Sequence, residues 1–170
     1  MYAVVDIETT GSNTHGGRIT EVAVCITDGY SILDKYETLI NPKQAIPSFI
    51  VGLTGIDQKM VDHAPLFGDI AAELYELLKG KIFVAHNVNF DYGFLKTEFQ
   101  RVGYDFSEKK LCSVRLSRKI LPGKKSYSLG RLCSGLGIHI TARHRAMGDA
   151  EATAQLLHLL VDTNQEAIDK

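Results

Sequence analysis

The segment Tyr2-Ala3-Val4-Val5-Asp6-Ile7-Glu8 constrains this chain more than any other. Its β-branched and apolar residues predict a strand, yet it carries two acids, a residue type depleted in strands. Alternation puts Asp6 and Glu8 on one face and Val5, Ile7 and Thr9 on the other. The run is apolar enough for a central strand, where two like charges side by side repel unless a cation or a proton intervenes. A fold built on this strand either turns the acidic stripe to solvent or builds an ion site around it.

The pattern that follows completes a sheet. Thr10-Gly11-Ser12-Asn13 ends the first strand with turn chemistry. A second apolar run, Glu21 to Thr27, stops at the hairpin dipeptide Asp28-Gly29, and a third, Ser31 to Ile40, stops at Asn41-Pro42. These three predict an antiparallel meander. Helical spacing then predicts helices over residues 47–53, with Pro47 in the first turn, and over 65–78, closed by Gly80. Residues 82–86 and 110–113 read as short strands. Residues 89–102, 114–121, 128–136 and 145–161 read as helices. Strands first, then strands alternating with helices, predicts an α/β fold. The expected sheet is mixed and five-stranded, a three-stranded antiparallel meander plus parallel strands, flanked by helices.

Composition narrows the class. At 170 residues, 45% hydrophobic and 23% charged, the chain has the make-up of one soluble globular domain. The expected division is a domain over 1–162 and a polar C-terminal tail over 163–170. No apolar run approaches the roughly 20 residues that span a bilayer, so no membrane partner is expected. The carboxylate at Asp6 comes too early for a signal peptide. Cys25, Cys112 and Cys133 are odd in number and form no CxxC pair, which suits a reducing cytoplasm. The net charge of −1 conceals an asymmetry: residues 109–148 hold ten Lys and Arg and no acid, so the remainder carries −11. Sign asymmetry of this kind bears on partners.

Two further motifs carry acids at element boundaries. His86-Asn87-Val88-Asn89-Phe90-Asp91 ends a strand and opens a helix; Asn87 or Asn89 could cap it and Asp91 favour its dipole. His144-Arg145-Ala146-Met147-Gly148-Asp149 opens the last long helix, where Asp149 could likewise serve only the dipole. Together the three motifs supply four carboxylates, Asp6, Glu8, Asp91 and Asp149, and one imidazole. Oxygen-only ligands suit hard cations such as Mg²⁺ or Mn²⁺, not zinc. Two such ions about 3.5–4 Å apart can clamp the attacking and leaving oxygens of a phosphoryl displacement. A nearby histidine can take a proton from the attacking water.

In these three motifs the chain resembles the DnaQ-like DEDDh 3′–5′ exonucleases, the family of the epsilon proofreading subunit of bacterial DNA polymerase III. Asp6-Ile7-Glu8-Thr9-Thr10-Gly11 resembles the first family motif, residues 86–91 the second, and residues 144–149 the third, with the HxxxxD spacing of the histidine subclass. Arg145 stands where the tyrosine subclass has Tyr. Asn41-Pro42, Leu53-Thr54-Gly55-Ile56, Ser128-Leu129 and Gly137-Ile138 are weaker points of likeness. The resemblance runs from Tyr2 to about Val161.

The resemblance implies an RNase H-like fold and hydrolysis of nucleic acid from a free 3′ end to nucleoside 5′-monophosphates, with single-stranded DNA favoured and RNA an alternative. It implies two Mg²⁺ or Mn²⁺ ions per site, held by Asp6, Glu8, Asp91 and Asp149, with His144 as general base. A polymerase or repair partner is the implied setting. Thr9, Thr10 and Gly11 would approach the terminal nucleotide, Leu53, Thr54 and Ile56 would pack near its base or sugar, and Asn87 would contact the backbone. In the acid-free window, Lys124 and Lys125 could neutralise phosphates and Tyr127 could stack on a base. Two other functions stay open: a catalytically silent nucleic-acid-binding module on the same fold, and a hydrolase of RNA oligonucleotides or other phosphodiesters.

Overall fold

The computed structural model describes residues 1–164. The expected meander forms: β1 (Tyr2–Thr9), β2 (Ile19–Thr27) and β3 (Ile32–Leu39) pair antiparallel in sequence. Two short helices follow, α1 (Ser48–Thr54) and α2 (Gln58–Asp62), then α3 (Phe67–Leu78). The second half alternates: β4 (Ile82–Ala85), α4 (Val88–Arg101), β5 (Lys110–Cys112), α5 (Ser113–Ile120), α6 (Leu129–Leu136) and α7 (Ala146–Thr163). The sheet order is β3-β2-β1-β4-β5, with β4 parallel to β1 and β5 parallel to β4. The mixed five-stranded sheet is therefore as the sequence pattern predicts, with β1 at its centre.

Each face of the sheet is covered. Ala3, Val5 and Ile7 of β1 pack with Val22, Val24 and Ile26 of β2 against Phe67, Ile70 and Leu74 of α3 and Leu95 and Phe99 of α4. Val4, Ala23, Cys25 and Val84 pack on the other side against Leu116 of α5, Leu132 of α6 and Leu156, Leu157 and Leu160 of α7. Asp6 and Glu8 share the parity of Val4, so they prolong the α7 face beyond the point where it is apolar. A third, smaller cluster of Ile46, Ile50, Ile56 and Val61 holds α1 and α2 together.

Helix ends follow local chemistry. Pro47 is the N-cap of α1, one position before the first turn where it was expected. Helix α2 has no counterpart among the expected elements; Asp57 caps it by accepting from the Met60 amide at 2.9 Å. Helix α7 runs to Thr163, just past the expected domain limit at 162, and residues 165–170 of the expected tail lie outside the described residues. Among the described residues, no helix is long and apolar enough to cross a membrane.

Candidate active site

β1 pairs with β4 only over Tyr2–Val4. The central strand thus outruns its parallel neighbour, and Asp6 and Glu8 stand where its β4 side is open. Crevices outside the carboxyl ends of parallel strands are the usual ligand positions in α/β sheets. Asp91, buried in the first turn of α4, fills part of this gap, accepting from the Ile7 amide at 3.2 Å. The chain reaches α4 from β4 through Asn87, whose left-handed backbone (φ 75°) is a conformation asparagine tolerates. His86 fastens this turn, with Nε2 2.7 Å from the Tyr127 carbonyl and Nδ1 2.8 Å from Ser113 Oγ. Burial lowers its pKa, so the neutral ring donates from Nε2 and accepts at Nδ1.

Asp149 enters from the opposite side, buried in the first turn of α7. Asp6, Glu8 and Asp149 each place a carboxylate oxygen within 4.8 Å of the others. Asp149 Oδ2 accepts from Arg143 Nη1 at 2.5 Å and from the His144 amide at 3.2 Å. Asp149 Oδ1 is buried without a hydrogen-bond partner, a state that costs on the order of 1–3 kcal/mol unless something binds it.

The electrostatics point the same way. Burial, followed by the charges of Asp91, Asp149 and Glu8, pushes Asp6 well above the usual carboxylate range. Burial, then Asp149, Glu21 and Asp91, pushes Glu8 to about 8. Burial pushes Asp91 to about 8 despite its backbone hydrogen bonds, and Asp149 also upward against the pull of Arg143. The cluster resists full ionisation until positive charge arrives. Its donors are all oxygens and one is orphaned, so these residues fit a hard divalent cation.

His144 lies beside Asp149 in the loop before α7, half-buried and with φ 63°. For a non-glycine residue this backbone costs about 1–3 kcal/mol and persists only where the surroundings dictate it. Burial, then Arg143, whose Nη1 is 3.3 Å from Nδ1, lowers its pKa and favours the neutral ring that can accept a proton.

The structure sorts the other expected site residues. Thr9 and Thr10 are buried and hold the turn after β1: Thr9 Oγ1 donates to the Gly11 carbonyl at 2.7 Å, while Thr10 Oγ1 bonds Gln44 and accepts from the Arg18 amide. A side chain at Gly11 would meet only Gly17 Cα at 3.6 Å, so this backbone is open to approach; a Cβ at nearby Gly17 would instead stand 2.7 Å from the Asn13 carbonyl oxygen. Leu53 is exposed on α1. Thr54 is buried and bonds the Ile50 carbonyl, and Ile56 is fully buried in the third core cluster. Helical position alone could not tell an inward isoleucine from an outward one. Asn87 is exposed and borders a cavity with Lys110, Cys112, Arg115 and Arg118. Lys124 and Lys125 are exposed on the loop between α5 and α6. Tyr127 serves that loop: its hydroxyl donates to the Leu121 carbonyl at 2.7 Å and its ring lies 5.4 Å from the Arg118 guanidinium.

Two residues at the site are not among those expected from sequence. Arg143 is invisible there because nothing distinguishes one arginine of a basic stretch from the next. Glu21 did carry a signal, an acid inside an apolar strand, the same anomaly that marks β1.

A carboxylate cluster at the open end of the central strand, with a histidine beside it, is a site suited to metal-assisted hydrolysis of a phosphodiester. The chain belongs to the exonuclease family, whose RNase_T model matches residues 3–157. It is 36% identical over 165 residues to a DNA polymerase III PolC-type of Caldanaerobacter subterraneus subsp. tengcongensis, covering 97% of this chain and 12% of that protein. It is 38% identical over 154 residues to the 3′-5′ exonuclease DinG of Bacillus subtilis, covering 89% of this chain and 16% of that one. The chain thus spans less than a fifth of the length of these relatives. Among solved structures, Exonuclease X in complex with 5′ overhanging duplex DNA superposes with a TM-score of 0.78 at 26% identity, over 97% of this chain and 93% of that one.

Proposed function

We propose that this chain is a divalent-metal-dependent 3′–5′ exonuclease that shortens nucleic acid from a free 3′ end, single-stranded DNA in the first place, to nucleoside 5′-monophosphates. The observation that carries the reading is the convergence of Asp6, Glu8 and Asp149 with a buried, unpartnered Asp149 oxygen, next to His144. Asp6, Glu8 and Asp149 would hold one ion, and Asp6 with Asp91 a second. Two Mg²⁺ or Mn²⁺ ions, when bound, supply the positive charge that lets the carboxylates ionise together and offsets charge developing on the phosphate. His144 takes the proton of the attacking water, for which its lowered pKa prepares it. Leu53, exposed on α1, and the Gly11 backbone offer contacts to the terminal nucleotide, Asn87 a contact to its backbone, and Lys124 and Lys125 phosphate contacts further along the strand.

Residues 1–162 make up the catalytic unit in this reading. The likeness to a PolC-type polymerase supports a polymerase or repair partner, and free Cys25, Cys112 and Cys133 suit a cytoplasmic setting. Chromatography of the products tests the chemistry: with Mn²⁺ and matched DNA and RNA oligonucleotides, nucleoside 5′-monophosphates are expected from both ends of the preference scale, faster from DNA. Nucleoside 3′-monophosphates, or a faster release from RNA, would overturn the reaction or the substrate preference respectively.

A further inference from the structure

Strand β2 is buried along its whole length, and Glu21, 3% exposed, is the acid within it. It lies directly opposite Glu8 in the β1–β2 ladder. Like charges opposite one another destabilise a ladder, so a second glutamate here is costly unless it is firmly held. It is: Glu21 Oε2 accepts from Arg145 Nη2 at 2.6 Å, Arg145 Nε donates to both oxygens at 3.1 and 3.2 Å, and Oε1 accepts from the Ala146 amide at 2.7 Å. Ala146 is the first residue of α7, and the N-cap residue Arg145 makes no side-chain cap. Glu21 therefore caps α7 from another element, 125 positions away in sequence.

The clamp sits between the two functional residues of the third motif. Asp149 follows one turn later, its amide donating to the Arg145 carbonyl at 3.1 Å. His144 precedes Arg145 directly, in its strained left-handed backbone. The loop is pressed onto the helix: a Cβ at Gly148 would stand 2.4 Å from the Ala142 carbonyl oxygen. Strained backbone persists only where neighbouring contacts over-determine it, and the Glu21 clamp joins the Arg143–Asp149 pair among those contacts.

We infer that Glu21 is a positioning residue of the catalytic site, fixing through Arg145 and Ala146 the turn that carries His144 and the helical turn that carries Asp149. It acts through those partners and not on the reacting atoms, and the inference rests on the exonuclease reading. Glu21→Gln keeps an acceptor for the Ala146 amide and loses the charge that holds Arg145; Arg145→Met removes the other partner.

Steady-state kinetics on single-stranded DNA at saturating Mn²⁺, well below the melting temperature, separate positioning from mere stability. Misplacing a reacting group by about 1 Å can cost on the order of a hundredfold, so kcat is expected to fall on the order of tenfold to a hundredfold in either variant. KM should stay within about twofold. The double variant should be no slower than the slower single one, because the pair acts as a unit, and Arg145→Lys should recover part of kcat. Calorimetry should show weaker Mn²⁺ binding in Glu21→Gln, since the start of the helix that carries Asp149 is no longer clamped to β2. A lower melting temperature with kcat and Mn²⁺ affinity both retained would reduce Glu21 to a structural ion pair and overturn the inference. A raised KM with kcat retained would make Arg145 a substrate contact and overturn it as well. Should Glu21→Gln fail to fold, Arg145→Met carries the test, its side chain being 39% exposed. Wild-type protein that releases no nucleotide would sink the exonuclease reading, and the Mn²⁺ affinities would then decide the role of Glu21 by themselves.

Discussion

Asp149 is contested by two kinds of cation. Arg143 holds Oδ2 while Oδ1 stays unpartnered, so the carboxylate is half-satisfied by protein and half-open. Substitutions at this spot should separate binding from chemistry. His144→Ala should lower kcat by roughly 10²–10⁴, the contribution of a positioned general base, while calorimetry finds Mn²⁺ binding retained. Asp149→Asn should lose both. Equal rates for His144→Ala and wild type would remove the histidine from its role. Asp6 and Glu8 are legible in the sequence because an acid costs most where its neighbours are apolar, and the same logic extends to Glu21. Ile56 and Tyr127 are not legible: an apolar or aromatic side chain gains by burial or by ligand contact alike, and only the fold decides which.

Among elements, the loop between α5 and α6 is the one whose function charge suggests. It carries Lys124 and Lys125 exposed, in a stretch of chain without acids. If both lysines neutralise phosphates of a single strand, each removes about 0.7 from the slope of log affinity against log salt. Lys124→Glu with Lys125→Glu should therefore raise KM and flatten its salt dependence; KM unchanged at every salt concentration would exclude this loop from the substrate path. Element types were mostly readable from periodicity, and the ends moved by a residue or two. Helix α2 escaped because five residues make little more than one turn, too short for a repeating apolar stripe. Its stability comes from the Asp57 cap and from Val61 in the third core cluster, the second a contact set by tertiary structure.

For the whole molecule, the carboxylate cluster sets the response to pH. Glu8 is raised from 4.5 to about 8 and Asp91 from 3.8 to about 8, so across that window the folded protein binds more protons than the unfolded chain. Stability then falls as pH rises, the reverse of a salt-bridged carboxylate. Without metal, the melting temperature should drop between about pH 5 and pH 8. Added Mn²⁺ should raise it, and more at pH 8 than at pH 5, because the ion binds the ionised acids. A melting temperature that rises over this range in chelator would contradict the buried cluster. The formal charge of −1 is a poor guide here: two bound divalent ions would take it to about +3, cancelling the four carboxylates where a phosphate chain must approach. The mixed make-up of the sheet was legible, since meander and alternation each leave a pattern, whereas its order β3-β2-β1-β4-β5 was not. The clamp from β2 to α7 was not, since it joins residues 125 apart whose proximity only the folded sheet creates.

The most direct measurement uses a 5′-labelled single-stranded DNA oligonucleotide with Mg²⁺ or Mn²⁺, in the presence and absence of chelator. The predicted result is a ladder shortening one nucleotide at a time from the 3′ end, abolished by chelator and by Asp149→Asn. Intact oligonucleotide, release of the 5′ label as a mononucleotide before any ladder forms, or shortening that persists in chelator would contradict a metal-dependent 3′–5′ exonuclease built on Asp6, Glu8, Asp91 and Asp149.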